Sequence, residues 1–209
     1  MPEASILDLS VRELLGAVAA RTSAPGGGAV AAVATALAAA LTGMAARFAL
    51  PDGDVGAGEP GADGRRSVVG EADGLRERAA VLADADATAY AAFLAALRLP
   101  RDDPGRACAV ESARDGAAAV PGEIAALAAA VSDLAVPLVD GGNPNLRGDA
   151  VAAVLLAGAA ARTAAELVAV NVGADPRTDR ARAYAAAAQD RADRISPTAV
   201  PAPVAEDAE

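Results

Sequence analysis

Apolar positions recur along most of this chain at spacings of three and four residues, the periodicity of a helix face, and no credible strand pattern interrupts them. Ser10-Val-Arg-Glu13 has the form of a capping box, in which each side chain satisfies a free backbone N–H at a helix start. The helix it opens, over about 11–20, places Val11, Leu14, Leu15 and Val18 on one face. Ala24-Pro25-Gly26-Gly27-Gly28 breaks it, and an alanine-rich helix follows to about residue 49. Residues 51–64 combine glycine, proline and acidic groups so densely that a surface loop is predicted. Further helices are predicted over about 68–98, 105–118, 121–139, 149–171 and 176–194. Pro100 closes the first of these, and Pro121 opens the third, since proline is tolerated in a first turn. Gly141-Gly142-Asn143-Pro144-Asn145 is a turn cluster. The reading is all-α: a compact bundle of about seven helices forming one domain over 1–195, with 196–209 a proline-rich, disordered tail.

Composition sharpens this picture. Hydrophobic residues make up 54% of the chain but aromatics only 2%, so the core must come from Ala, Val and Leu, whose small size lets helices approach closely. Residues 29–46 carry no charge and reach the length of a membrane span. They are half alanine, without an aromatic belt or basic flank, and are read as a helix buried in protein, with no membrane partner. A net charge of −10 repels a phosphate backbone, so nucleic acid is not expected. The single Cys108 offers no disulfide, and the N-terminus lacks a signal-peptide pattern; a cytoplasmic setting is expected. There is no histidine, and all 18 basic residues are arginine. Histidine triads, histidine-ligated metals and lysine Schiff bases are therefore excluded, and no metal is expected. Proton transfer falls to carboxylates, tyrosine or bound water.

Where carboxylates sit then matters most. In the 68–98 helix, Leu75, Ala79, Leu82, Asp86, Tyr90, Phe93 and Leu97 share one stripe, with Asp86 at its centre. A carboxylate on an apolar stripe must be hydrogen-bonded, paired, or shifted upward in pKa. Asp86 is thus either a buried acid satisfied by its neighbours or a general acid. Asp84 lies opposite, beside Glu77 and Thr88, on a face readily solvated. The glycine run before the second helix either cradles an anion or permits a sharp helix crossing; no GK[ST] follows and no strand precedes it. Asn145 and Asp149 are helix caps or ligand contacts. Arg162, on the stripe of Val151, Val154, Leu155 and Gly158, needs a carboxylate from protein or ligand.

Four blocks in register carry a resemblance: Ser23-Ala-Pro-Gly-Gly-Gly-Ala-Val-Ala-Ala32, Asp84-Ala-Asp-Ala-Thr-Ala-Tyr90 leading into Leu99-Pro100-Arg101, Gly142-Asn-Pro-Asn145 with Asp149, and Asn171. In order and spacing, over about 10–195, the chain resembles the cyclodeaminase/cyclohydrolase family of folate enzymes. The resemblance implies an all-helical homodimer with a folate site between helices near the subunit interface, and a tetrahydrofolate derivative as substrate. It implies that Asp86 and Asp84 form the acidic motif, Asp86 being the better catalytic candidate. Pro25, Gly26, Gly27 and Gly28 would shape the pocket wall, Asn145 and Asp149 would lie near the pterin, and Arg101 and Arg162 would meet negative charge such as the folate glutamate. The chain departs from the pattern at Gly148 and Leu167, and its glycine-rich loop, with Arg65 and Arg66 nearby, replaces a basic cluster. Two chemistries are implied: water addition to a cationic methenyl bridge, or ring closure of a formimidoyl group with loss of ammonia. The alternative is a non-catalytic helical dimer that binds a folate or a protein partner.

Overall fold

A computed structural model of the protein describes residues 5–50 and 62–195. Among them six α-helices follow in order: α1 (Val11–Ala19), α2 (Gly27–Phe48), α3 (Ala62–Leu97), α4 (Arg106–Gly141), α5 (Arg147–Val172) and α6 (Pro176–Arg194). Short 3-10 turns at Ile6–Asp8 and Pro144–Leu146 precede α1 and α5. No strand occurs among the described residues. The tail 196–209 and residues 51–61 of the expected loop lie outside the described residues.

Most helix ends fall where local chemistry puts them. The capping box of α1 is present in both directions: Ser10 Oγ accepts the Glu13 N–H at 3.3 Å, and Glu13 accepts the Ser10 N–H at 2.8 Å. At α6, Asp175 caps the start by accepting the Arg177 N–H at 2.8 Å, with Pro176 in the first turn. Two expectations need correction. The α3 helix begins at Ala62, so residues 62–64 of the expected loop are helical; Asp63 sits in that first turn, where its charge suits the helix dipole, and pairs with Arg66. The separate helices expected at 105–118 and 121–139 are one helix, α4, with Pro121 and Pro137 inside it. Proline in a helix interior leaves the carbonyl four residues earlier without its donor. For Pro121 that carbonyl is Ala117, and Asn171 of α5 supplies the missing donor from its side chain at 2.6 Å. The expected seven helices are therefore six among the described residues.

Helix α2 lies at the centre, packed against α3, α4 and α5, with α6 against α4 and α5. Its uncharged run is explained by that position: Ala31, Ala32, Ala38, Ala39, Ala45 and Ala46 are buried. Buried Thr35 and Thr42 return their hydroxyls to the Ala31 and Ala38 carbonyls at 2.8 and 2.9 Å, so neither is left unsatisfied. The remaining core is again mostly alanine, with Ile124, Val131, Val154 and Val168 as its largest fully buried side chains. Helix α1 differs. It buries no residue, and Val11 and Leu15 of its predicted apolar face are 75% and 66% exposed.

Candidate active site

The start of α2 has an unusual cap. Gly26 occupies the capping position and has no side chain to offer. The acceptor comes instead from α3: Asp86 Oδ2 takes the Ala29 N–H at 3.0 Å. A carboxylate at a helix N-terminus satisfies a free donor and meets the positive end of the dipole. Gly28, buried between the two elements, makes the approach possible, because a Cβ there would overlap the Asp86 carboxylate. Of the three glycines, Gly28 is thus the one required by contact with an acid, which unites two sequence features that local reading kept apart.

Asp86 is half-buried, and burial lifts its pKa above the ordinary carboxylate value; the Ala29 hydrogen bond opposes that rise without cancelling it. The carboxylate borders a cavity of about 310 Å³ at the junction of four helices. Ser23 lines it from the segment before α2, Gly26 to Gly28 from the start of α2, Asp86 and Tyr90 from α3, Ala117 and Pro121 from α4, and Leu167, Val170 and Asn171 from α5. The walls are largely apolar, with Ser23, Asp86, Tyr90 and Asn171 as polar side chains. An acid at the edge of such a space can exchange protons with a bound molecule under reduced competition from water.

The other expected site residues divide sharply. Asp84 does not border this cavity. Its Oδ2 accepts from the Ser5 hydroxyl at 2.5 Å and its Oδ1 from the Ile6 N–H at 2.7 Å, so it ties the N-terminal segment to α3. That segment half-buries a residue expected on a solvated face. Asp84 and Pro25 line an adjoining hollow of about 280 Å³, which shares Ala24 and Ala87 with the Asp86 cavity. Arg101 is exposed in the turn between α3 and α4, Asn145 is exposed in its 3-10 turn, and Asp149 is half-buried in the first turn of α5. None of the three borders the Asp86 cavity. Asn143, next to Asn145, has a scaffold role: it accepts the Asn145 N–H and donates to the Phe48 carbonyl at 3.2 Å, closing the end of α2. Arg162 is exposed, as is Leu155, because the stripe they share turns outward from buried Val154 and Gly158; it needs no buried countercharge. It borders a shallow hollow with Glu166 and Arg182. Among the described residues, no group of three or more Cys, Asp or Glu side chains is placed to hold a metal ion.

Sequence reasoning assigned no site role to Tyr90 or Leu167. Tyr90 had a visible signal, since it follows Asp86 by one helical turn on the same stripe.

Fold and site together define an all-α protein in which a carboxylate caps a glycine-opened helix at the edge of a largely apolar cavity. Residues 10–191 match the formiminotransferase-cyclodeaminase family, and the chain belongs to that family. The formimidoyltransferase-cyclodeaminases of Mus musculus and Rattus norvegicus are 38% and 37% identical to it over 132 residues, 59% of this chain. The match spans 23% of the length of those longer proteins. A methenyltetrahydrofolate cyclohydrolase of Methylorubrum extorquens is 32% identical over 173 residues, covering 80% of this chain and 82% of that protein. The crystal structure of formiminotetrahydrofolate cyclodeaminase from Thermotoga maritima has the same fold, with a TM-score of 0.77 at 23% identity, over 91% of this chain and 96% of that one. The family resemblance drawn from the four motifs therefore holds.

Proposed function

We propose that this protein is a folate one-carbon enzyme acting at the Asp86 cavity, with methenyltetrahydrofolate cyclohydrolase as its leading activity. The observation that carries the reading is the position of Asp86: one oxygen is fixed on Ala29, and the group lies at the edge of a largely apolar cavity. At about 310 Å³ the cavity sits near the lower end of small-molecule sites, suited to the pterin ring while the folate tail extends outward. The Ala29 N–H and the positive end of α2 favour a carboxylate, which pairs with the cationic methenyl bridge. Water adds its oxygen to the bridging carbon as Asp86 takes up its proton. That proton is then passed to a folate nitrogen as its bond to the carbon breaks, and the adduct's hydroxyl gives up its own proton through the freed Asp86 carboxylate to solvent, leaving the 10-formyl product and one released proton.

A second reading has an observation of its own. Burial raises the Asp86 pKa, which favours a group able to carry a proton to a leaving amine. A folate nitrogen attacks the formimidoyl carbon and passes its own proton to the formimidoyl nitrogen; Asp86 protonates that nitrogen once more, and ammonia departs as the methenyl bridge forms. In both readings Asp84 holds the N-terminal segment and touches no reacting atom.

The test supplies both substrates side by side, following methenyl absorbance and released ammonia. Asp86→Asn is expected to lower turnover by about 10²–10⁴-fold, the usual span for positioned proton transfer, while the helical circular dichroism is unchanged. Undiminished turnover in that variant removes Asp86 from the chemistry. A wild-type protein that binds folate but converts neither substrate is the non-catalytic relative.

A further inference from the structure

Asn171 borders the Asp86 cavity from α5, yet part of its amide is already in use. Its Nδ2 donates to the Ala117 carbonyl of α4 at 2.6 Å. In an uninterrupted helix that carbonyl would accept the N–H of residue 121. Here residue 121 is a buried proline inside α4, with no N–H to give. Ala117 is itself buried, so its carbonyl without a donor would carry a desolvation penalty, which the asparagine amide relieves. Because a carbonyl can only accept, the amide nitrogen must face Ala117, and this decides which way the carboxamide is turned. No described residue donates to Asn171 Oδ1. That oxygen and the second amide hydrogen are the polar parts left for whatever occupies the cavity.

Building on the folate reading above, we propose that Asn171 is a substrate-binding residue and that Pro121 is its positioning residue. The missing N–H at Pro121 holds the amide on Ala117, and Oδ1 accepts a hydrogen bond from an N–H on the amino-pyrimidinone edge of the pterin. A site built this way selects for a ring that presents a donor, because a ring without one would leave the acceptor unpaired. Pro121 also lines the cavity wall, but its hold on the amide does not depend on contact with the ligand. It acts by keeping the amide from turning.

The two roles separate in a cycle of Asn171→Ala, Pro121→Ala and the double variant, with thermal midpoint and KM (or Kd for the folate substrate) measured on each. Asn171→Ala leaves the Ala117 carbonyl without a donor and is expected to lower the midpoint and raise KM roughly tenfold with little change in kcat, the pattern of a lost binding contact. Pro121→Ala returns a backbone N–H to Ala117. Its midpoint should stay level or rise while KM still increases, an opposition of sign that a purely structural role does not produce. The double variant should regain the wild-type midpoint and keep the raised KM. Wild-type KM in the double variant would reduce Asn171 to a helix-mending residue and overturn the proposal. A midpoint that fails to recover would overturn the pairing with Pro121. If the wild-type protein neither binds nor converts a folate, the pterin assignment falls with the reading it rests on, while the stability cycle still reports the amide–carbonyl pairing.

Discussion

Asp84 and Asp86 are two residues apart on one helix and have opposite fates. Both oxygens of Asp84 accept hydrogen bonds from Ser5 and Ile6, whereas Asp86 gives one oxygen to Ala29 and borders the cavity. Helical periodicity separated them correctly, since residues two apart point to different faces. It also placed Asp86 beside Leu75, Ala79 and Leu82, all buried, although the stripe opens to solvent beyond it, where Tyr90 is 40% and Leu97 41% exposed. The environment of Asp86 has a measurable consequence. Its folded pKa is raised above the ordinary value of 3.8 by burial, so between those two values the folded chain holds more protons than the unfolded one. The contribution of Asp86 to stability is therefore most favourable at low pH and declines as pH rises through that window. Asp86→Asn removes the titration. Its urea midpoint, relative to wild type, should climb as pH rises from below 3.8 through the window and then level off. A difference that stays flat across the same range would contradict the assigned environment.

Helices α1 and α4 mark the two ways in which local rules behave at the level of elements. The α1 start was legible because a capping box involves residues three apart and nothing else. Ser10→Ala should cost that helix about 1 kcal/mol. Since α1 buries no residue, the loss is expected as faster hydrogen exchange of its own amides, with the global melting temperature unchanged. A fall of several degrees in the global transition would mean that α1 is part of the main cooperative unit. In α4 the local rule failed. An interior proline costs about 3 kcal/mol by propensity, so a break at Pro121 was the reasonable reading. The compensating donor, Asn171 of α5, lies 54 residues from the Ala117 carbonyl it serves, beyond the reach of any window along the chain.

At the scale of the whole molecule, alanine is both the means of packing and its constraint. Alanines of α2, α4 and α5 such as Ala32, Ala128 and Ala161 show no exposed surface at all, which leaves no room for a larger side chain where helices meet. Ala128→Leu is expected to destabilise the fold by about 1–3 kcal/mol through overpacking, read as a lowered urea midpoint with an unchanged slope. A neutral result would show that the α4 contact can open to admit the extra atoms. The helical class, most helix boundaries, the glycine-opened start of α2 and the inward turn of Asp86 are legible along the chain, because periodicity, caps and breakers act over a few residues. That Asp86 caps α2 across a 57-residue separation, that Asp84 is a tether, that Asn171 mends α4, and that Arg101, Asn145, Asp149 and Arg162 do not border the cavity emerges once the helices are packed together. Those outcomes depend on which donor meets which acceptor once helices cross, and a pattern with a period of 3.6 residues carries no information about partners so distant along the chain.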